Sequence, residues 1–161
     1  MSDLSRHRFL LVFVGLLWIP LAGSAQVAAD LPKPPGLPQG LSLDEAMGQR
    51  AGVAVLEKRA EDAGYGFTEK SAVRVGGGFK EGSGRIYRFL NALLGPAGET
   101  VHYKRIGSCC SFKTSKSPSD GTGLLEIYEI HYEGGKPVRL YFNWYEEGDL
   151  LIPKGLTARK E

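Results

Sequence analysis

The segment LLEIYEIHYEGGKPVRLYFNWY, residues 124–145, decides the fold, because two β-rich runs flank a pair of glycines in it. Apolar and more polar residues alternate in the second run, which predicts a strand with one buried face. A three-residue turn at 134–136 would place Ile130 opposite Leu140 and bring the apolar faces together. The other face is a candidate ligand-binding surface, since aromatic rings beside an arginine suit small molecules. We call it the wet face, and it comprises Glu129, His131, Arg139, Tyr141, Asn143 and Tyr145.

Helical spacing and strand propensity extend this hairpin into an α+β fold. A capping-box pattern predicts a helix, or two shorter ones, over residues 42–63. A second helix is predicted over 83–94, where a serine cap precedes an apolar stripe and a Gly-Pro stop follows it. Further strands are expected at 67–75 and 101–106. We therefore expect an antiparallel sheet of about four strands with helices packed on one face.

Cys109 and Cys110 are the only cysteines of the chain, and they are adjacent. Neighbouring Cα atoms lie about 3.8 Å apart, whereas ordinary disulfides span about 4.4–6.8 Å. Four interpretations stay open: a vicinal disulfide, two reduced thiols, a metal or partner site, or simple packing. On a regular strand the two side chains would point to opposite faces, unless the chain bends at Gly107 and Ser108. Without a Cys-x-x-Cys spacing, packing or a static disulfide is favoured over redox catalysis.

The candidates for redox chemistry or metal binding are few. They are Cys109, Cys110, His102 and His131. Neither a Cys-x-x-Cys nor a His-x-x-x-His spacing organises them, so the sequence gives little support for zinc. The two histidines would meet only if their strands pair. We therefore predict no cofactor, and the identity of any metal stays open.

The N-terminus has the pattern of an export signal. Basic residues at 6–8 precede an apolar run at 9–21, and the small residues Gly23-Ser24-Ala25 follow. The predicted parts are a signal peptide at 1–25, a proline-rich spacer at 26–41 and a single α+β domain at 42–161. The uncharged stretch is also long enough to cross a bilayer, so a retained anchor is the alternative. We expect a periplasmic or secreted protein, with membrane contact only if the signal is retained.

Charge and motifs exclude several classes of function. A formal net charge of +2 over 161 residues argues against a nucleic-acid partner. The glycine-rich run at 76–84 lacks the lysine that a phosphate loop carries before its Ser or Thr. No Gly-x-Ser-x-Gly elbow is present. The sequence therefore predicts no catalytic residue.

Five segments carry a resemblance to known sequences. They are RFLNAL at 88–93, RIGSCCSF at 105–112, GLLEIYE at 123–129, LYFNWY at 140–145 and PKGLT at 153–157. Together with Tyr103 they resemble an uncharacterised family of small exported bacterial proteins, whose most specific mark is R-x-G-S-C-C. Some relatives are labelled 2-dehydro-3-deoxyphosphooctonate aldolase, a (β/α)8 barrel that typically needs about 250 residues. This chain is too short for that barrel, and the resemblance implies no catalytic residue.

Three functions remain as hypotheses. The first is an exported accessory or binding domain of the cell envelope, without catalytic turnover, whose partner is an envelope protein or a small ligand. The second is a thiol-dependent redox or metal-handling protein that acts through the vicinal cysteines. The third is an aldolase-like enzyme, which only the label of the relatives supports.

The signal pattern generates the first prediction. In an exporting bacterial host, we expect the chain to be cut after Ala25, because the small residues there follow the apolar run. Intact mass and N-terminal sequencing of the exported fraction should give a chain that begins at Gln26. A full-length chain that starts at Met1 and stays in the membrane fraction would instead establish the anchor.

Overall fold

The computed structural model describes residues 43–118 and 120–160. The helices are α1 (Leu43–Gly48) and α2 (Gly78–Ala92), and the strands are β1 (Val73–Arg74), β2 (Leu93–Leu94), β3 (His102–Lys113), β4 (Thr122–His131), β5 (Val138–Asn143) and β6 (Thr157–Ala158). The predicted signal peptide, the spacer and the expected helix cap at Ser42 lie outside the described residues. Within the described ranges, no helix combines the length and apolarity needed to span a membrane.

The main sheet has four strands in the order β1-β5-β4-β3. Strand β4 pairs antiparallel with both β3 and β5, whereas β1 runs parallel to β5. Strands β2 and β6 form a separate antiparallel pair. A mixed, mostly antiparallel sheet with helices agrees with the predicted α+β class and with the expected number of strands.

The β4–β5 hairpin keeps its predicted faces but not its predicted register. Ile130 lies opposite Val138 rather than Leu140, so the expected pairing is wrong by two residues. Because side chains alternate with a period of two, this shift leaves every residue on its predicted face. Pro137 has no N–H to give to the ladder, and a turn at residues 132–135 is closed by a 3.0 Å backbone hydrogen bond. The loop is therefore longer than the expected three-residue turn.

Helix α2 begins at Gly78, well before the predicted start at Ser83. Its N-cap is Gly77, which makes no side-chain cap bond and has a φ of 89°. Glycine takes this left-handed conformation without steric cost, so backbone freedom replaces the expected serine cap. The predicted apolar stripe is confirmed, since Ile86 and Phe89 are fully buried.

Aromatic contacts attach α2 to the sheet. The ring of Phe89 lies edge-on to that of Phe142 on β5, with centroids 5.7 Å apart. Tyr87 makes a similar edge contact with Tyr128 on β4 at 6.2 Å. Such pairs add about 0.5–1.5 kcal/mol each beyond the burial of their area. The sheet and the helix therefore share one core.

The helix predicted over residues 42–63 is wrong beyond its first turns. It ends at Gly48, and Gly52 then takes a φ of 82° that a helix cannot contain. The short helix is instead fixed to the sheet by its carboxylates. Asp44 Oδ2 accepts a 2.8 Å hydrogen bond from the backbone N–H of Arg105. The short helix is thus held in place by tertiary contacts, and not by the additional helical turns that the capping pattern predicted.

The flanking strands also differ from their expected lengths. Only Val73–Arg74 forms a strand in the region predicted at 67–75, and the residues before it are turns. Strand β3 is longer than the expected 101–106 and continues through both cysteines to Lys113. Two register shifts, between Arg105 and Gly107 and between Cys109 and Phe112, allow this length.

Two glycines of α2 generate a matched prediction. A Cβ at Gly82 would lie 2.6 Å from Cβ of Trp144, whereas a Cβ at Gly84 would meet nothing within 4 Å. We expect Gly82→Ala to destabilise the fold by about 1–3 kcal/mol through overpacking. Gly84→Ala should stabilise it by about 0.5–1 kcal/mol, because alanine favours the helix. Urea unfolding of both variants checks this, and equal effects of the two changes would contradict the packing shown here.

Candidate functional site

Cys109 and Cys110 form a vicinal disulfide, with their Cα atoms 3.7 Å apart. Of the four interpretations left open by the sequence, the structure therefore holds the oxidised pair. The bond is possible because the strand is irregular here. Cys110 has a φ of 59°, in the left-handed region, and lies within the second register shift of β3. The two side chains are thus no longer directed to opposite faces, as they would be on a regular strand.

The residues before the disulfide form a closed polar triangle around a buried carboxylate. Arg105 Nε donates to Glu126 Oε2 at 2.6 Å, and Ser108 Oγ donates to Glu126 Oε1 at 2.8 Å. Arg105 Nη2 closes the triangle by donating to Ser108 Oγ at 2.8 Å. The hydrogen bond that Arg105 donates to Glu126 raises the pKa of Arg105 above its ordinary value. Gly107, at a φ of 154°, supplies the bend between the two donors.

A cavity of about 620 Å³ opens beside the disulfide. It lies between the turns that precede β1 and the sheet, whose strand β3 carries both cysteines. Its apolar lining is given by Tyr65, Ala72, Cys110, Phe112 and Leu125. Its polar lining includes Asp62, Glu69, Lys70, Arg74, Asn143 and Glu146. The volume falls within the range of about 300–1,000 Å³ that ligand pockets occupy.

The charged groups of this cavity divide into engaged and free ones. Asp62 accepts hydrogen bonds from Ser71 Oγ at 2.6 Å and from the Gly64 N–H at 2.8 Å. Both bonds lower the pKa of Asp62, and the bond from Ser71 has the larger effect. By contrast, three side chains make no hydrogen bond or ion pair with another described residue, and they are Glu69, Lys70 and Arg74. The cavity therefore presents both signs of charge with unfilled hydrogen-bonding capacity.

Glu69 also lies beside the disulfide. One carboxylate oxygen of Glu69 and the sulfurs of Cys109 and Cys110 all lie within 4.8 Å of one another. Among the described residues, these three form a group with the spacing of metal ligands. A nearby carboxylate disfavours a thiolate, because two like charges repel. The position of Glu69 therefore argues against either cysteine as an activated nucleophile. It is compatible with a cysteine pair that lines a binding site.

The wet face does not form one site. Lys104 Nζ lies 2.8 Å from Glu129 Oε1, and this contact lowers the pKa of Glu129. Arg139 lies opposite Glu129 in the β4–β5 register. Asn143 is buried, and its Oδ1 accepts backbone hydrogen bonds at the end of β5. Of the predicted face, Asn143 lines the disulfide cavity, whereas Glu129 pairs with Lys104 elsewhere on the sheet and has Arg139 opposite it.

The two tyrosines of the wet face have separate surroundings. The backbone N–H of Tyr141 donates to the Gly66 carbonyl at 2.8 Å, which ties β5 to the turns before β1. Tyr145 lies beyond the end of β5, in edge contact with Phe112 at 5.8 Å. Phe112 lines the cavity, so Tyr145 supports its wall from behind. Tyr145 therefore belongs to the cavity wall, whereas Tyr141 stays on β5 opposite Ile127.

His102 and His131 do meet, because β3 pairs with β4 as that encounter requires. Their rings stack with centroids 5.3 Å apart. His102 Nδ1 lies 2.9 Å from Glu45 Oε1, so the carboxylate of α1 orients this ring. Cys109 pairs with Leu125, roughly 20 Å along β4 from the histidines at about 3.3 Å per residue. The four redox or metal candidates therefore belong to two separate places.

Sequence reasoning missed Glu69, Lys70 and Arg74. The region 67–75 was predicted to be a strand, and its charged residues were assigned no role. No spacing signal links these residues to cysteines that lie far along the chain. The turns before β1 bring Glu69 to the disulfide, although β1 itself pairs with β5 at the sheet edge opposite to β3.

The polar triangle generates a prediction on stability. Arg105→Met leaves the buried Glu126 carboxylate without its cation, and we expect a loss of about 2–3 kcal/mol. The loss should be smaller than for a fully buried pair, because the Arg105 side chain is 44% exposed. Adding Glu126→Leu removes the unpaired charge and should restore part of the stability. Chemical unfolding measures the stability of the parent, the single variant and the double variant, with the exposed Arg139→Met as control. If Arg105→Met loses no more stability than the control, the role of the Arg105–Glu126 pair is contradicted.

Comparison with known proteins assigns no family to the chain. No protein-family model, no curated protein and no solved structure matches it. The resemblance marked by R-x-G-S-C-C therefore stays a prediction. Function has to be inferred from the geometry of the described residues, and in particular from the cavity beside the disulfide.

Proposed function

We propose that the protein is an exported binding domain of the bacterial envelope, which holds a small polar ligand without chemical turnover. The observation that carries this proposal is the cavity of about 620 Å³ whose Glu69, Lys70 and Arg74 side chains make no hydrogen bond or ion pair with another described residue. Charged side chains in a concave site cost little while they stay hydrated, and they are available to a ligand of complementary charge.

The charges and rings of the cavity favour a small zwitterion, such as an amino acid or a short peptide. Arg74 and Lys70 suit a carboxylate, and an arginine can bind one through two parallel hydrogen bonds. Glu69 suits an ammonium group. Tyr65 and Phe112 offer apolar surface for a side chain between the two charges. A purely anionic ligand would be repelled by the acidic part of the lining.

We also propose that both helices cover the same face of the sheet. Contacts of α2 with Tyr128 and Phe142 support this for the longer helix. For α1, support comes from the 3.2 Å hydrogen bond between Tyr87 and Asp44, which joins the two helices. In that arrangement the opposite face is left to the turns before β1, and the cavity forms beneath them.

Export and family membership belong to the same proposal. The signal pattern at 1–25 and the spacer at 26–41 would place the domain in the periplasm or outside the cell, clear of the export machinery. The R-x-G-S-C-C segment would make it a member of the small exported family that it resembles. We do not propose an aldolase, because the described residues form an open four-stranded sheet and not an eight-stranded barrel.

A thiol-dependent protein is the second candidate, and the disulfide itself favours it. Cys110 lines the cavity, so a small reductant or a partner thiol has access to one sulfur. Against rapid exchange, the Glu69 carboxylate lies within 4.8 Å of both sulfurs and disfavours the thiolate on which exchange depends. We therefore rank ligand binding before redox turnover.

The binding proposal is tested by amide NMR with a defined panel of free amino acids, dipeptides, acetate and glucose. We expect at least one zwitterion to give saturable shifts at Ser71 and Ser111, beside the free charges. Arg74→Ala should weaken this binding by about tenfold or more, since hydrogen bonds to charged groups contribute about 1.5–3 kcal/mol.

Arg88→Ala is the matched control, because Arg88 is an exposed arginine of α2 and does not line the cavity. Its binding should equal that of the parent. If no zwitterion gives saturable shifts, or if both arginine variants lose affinity equally, the proposed function is wrong.

A further inference from the structure

We propose that reduction of the Cys109–Cys110 disulfide creates a binding site for a soft or borderline divalent cation, with Glu69 as the third ligand. In the oxidised protein the same bond holds the site closed. This inference is independent of the zwitterion proposal, because it concerns the reduced protein and a metal ion alone.

The Glu69 carboxylate lies close enough to both sulfurs to share one metal ion with them after the S–S bond is broken and the sulfurs have separated. The two sulfurs and a Glu69 carboxylate oxygen lie within 4.8 Å of one another. Ligands of one tetrahedral zinc ion, bound at about 2.0–2.3 Å, necessarily lie within such a distance of each other. Glu69 is exposed and makes no hydrogen bond or ion pair with another described residue, so a metal would displace no existing partner. Small side-chain rotations would complete the set.

The backbone favours convergence of the two sulfurs after reduction. Cys110 has a φ of 59° and lies in the second register shift, directly after Cys109, which still pairs with Leu125, so the left-handed residue lets the two adjacent side chains point the same way. The Arg105–Glu126–Ser108 triangle fixes the strand immediately before them. The triangle does not involve the sulfurs, so it should persist when the disulfide opens. The two thiols would therefore stay on one side of the strand.

The reaction balances with a dithiol as reductant. Two electrons and two protons pass from the dithiol to the protein, the S–S bond breaks, and the dithiol becomes a disulfide. Binding of a divalent cation then releases the two thiol protons, because the thiolate is the ligand. The two thiolates and Glu69 bring three negative charges. Lys70 and Arg74 of the same cavity would offset the excess charge that the cation leaves.

The donor set selects the class of metal. Thiolate ligands favour zinc, cadmium and monovalent copper over magnesium or calcium, which prefer oxygen. Three protein ligands leave a fourth tetrahedral position open towards the cavity, the arrangement of a site that exchanges its ligand rather than of a closed structural site. We infer a zinc-type site that responds to the redox state of the compartment.

Cadmium is the probe, because its thiolate complexes absorb in the ultraviolet. The purified protein is reduced with a trialkylphosphine, which is oxidised to the phosphine oxide with oxygen from water and competes only weakly for the metal. The mass of the protein after alkylation verifies that two thiols are free. We expect one Cd²⁺ per reduced chain with a thiolate absorption band, and no such band for the oxidised protein. Glu69→Gln should weaken binding by at least about tenfold.

Glu146→Gln is the matched control, since Glu146 lines the same cavity but lies outside the ligand group. It should bind Cd²⁺ nearly as well as the parent. The proposal is overturned if the reduced protein gives no thiolate band, if two chains share one ion, or if the two glutamate variants weaken binding equally. Circular dichroism monitors whether the protein stays folded during reduction. If the reduced chain is unfolded and binds Cd²⁺ equally well with and without the Glu69 carboxylate, the proposal is also overturned.

Discussion

Glu126 carries a carboxylate into the buried part of the sheet, and the path of β3 is set by the need to neutralise it. An unpaired charge at such a position would cost several kcal/mol. Arg105 and Ser108 satisfy it from the neighbouring strand, on either side of Gly107. A regular strand could not direct both donors to one carboxylate while keeping the ladder. The register shift at Gly107 is thus what lets Arg105 and Ser108 reach one carboxylate.

The disulfide depends on the second irregularity of the same strand, between Cys109 and Phe112. Once β3 has left its regular register at Gly107, the second shift after Cys109 lets two adjacent side chains meet. The R-x-G-S-C-C segment thus has one physical meaning along its length. Its arginine and serine hold a buried charge, its glycine bends the strand, and its cysteines close the bend. The segment couples the core of the sheet to the lining of the cavity.

Sequence reasoning reached the parts of this fold that depend on local periodicity. The alternation in β5 fixed which side chains face the core, and the stripe through Ile86 and Phe89 fixed the face of α2. Sequence reasoning failed where the backbone conformation of a single residue determines the register of a hairpin or the start of a helix. Pro137 moved the hairpin register, and Gly77 started a helix without a serine cap. The candidate site was half predicted, because the cysteines were visible in the sequence whereas Glu69 reaches them only through tertiary structure.

The outer edge of β3 has a consequence for solubility. An edge strand of this length, with its N–H and C=O groups free, would invite pairing with another chain. Here the first part is covered, because carboxylates of α1 accept hydrogen bonds from the backbone N–H groups of Tyr103 and Arg105. The second part of β3 contains a bulge at the disulfide, so its backbone is not a regular edge with which another strand could pair. The irregular backbone at the vicinal cysteines thus makes the one long open edge of the sheet, among the described strands, a poor template for pairing with another chain.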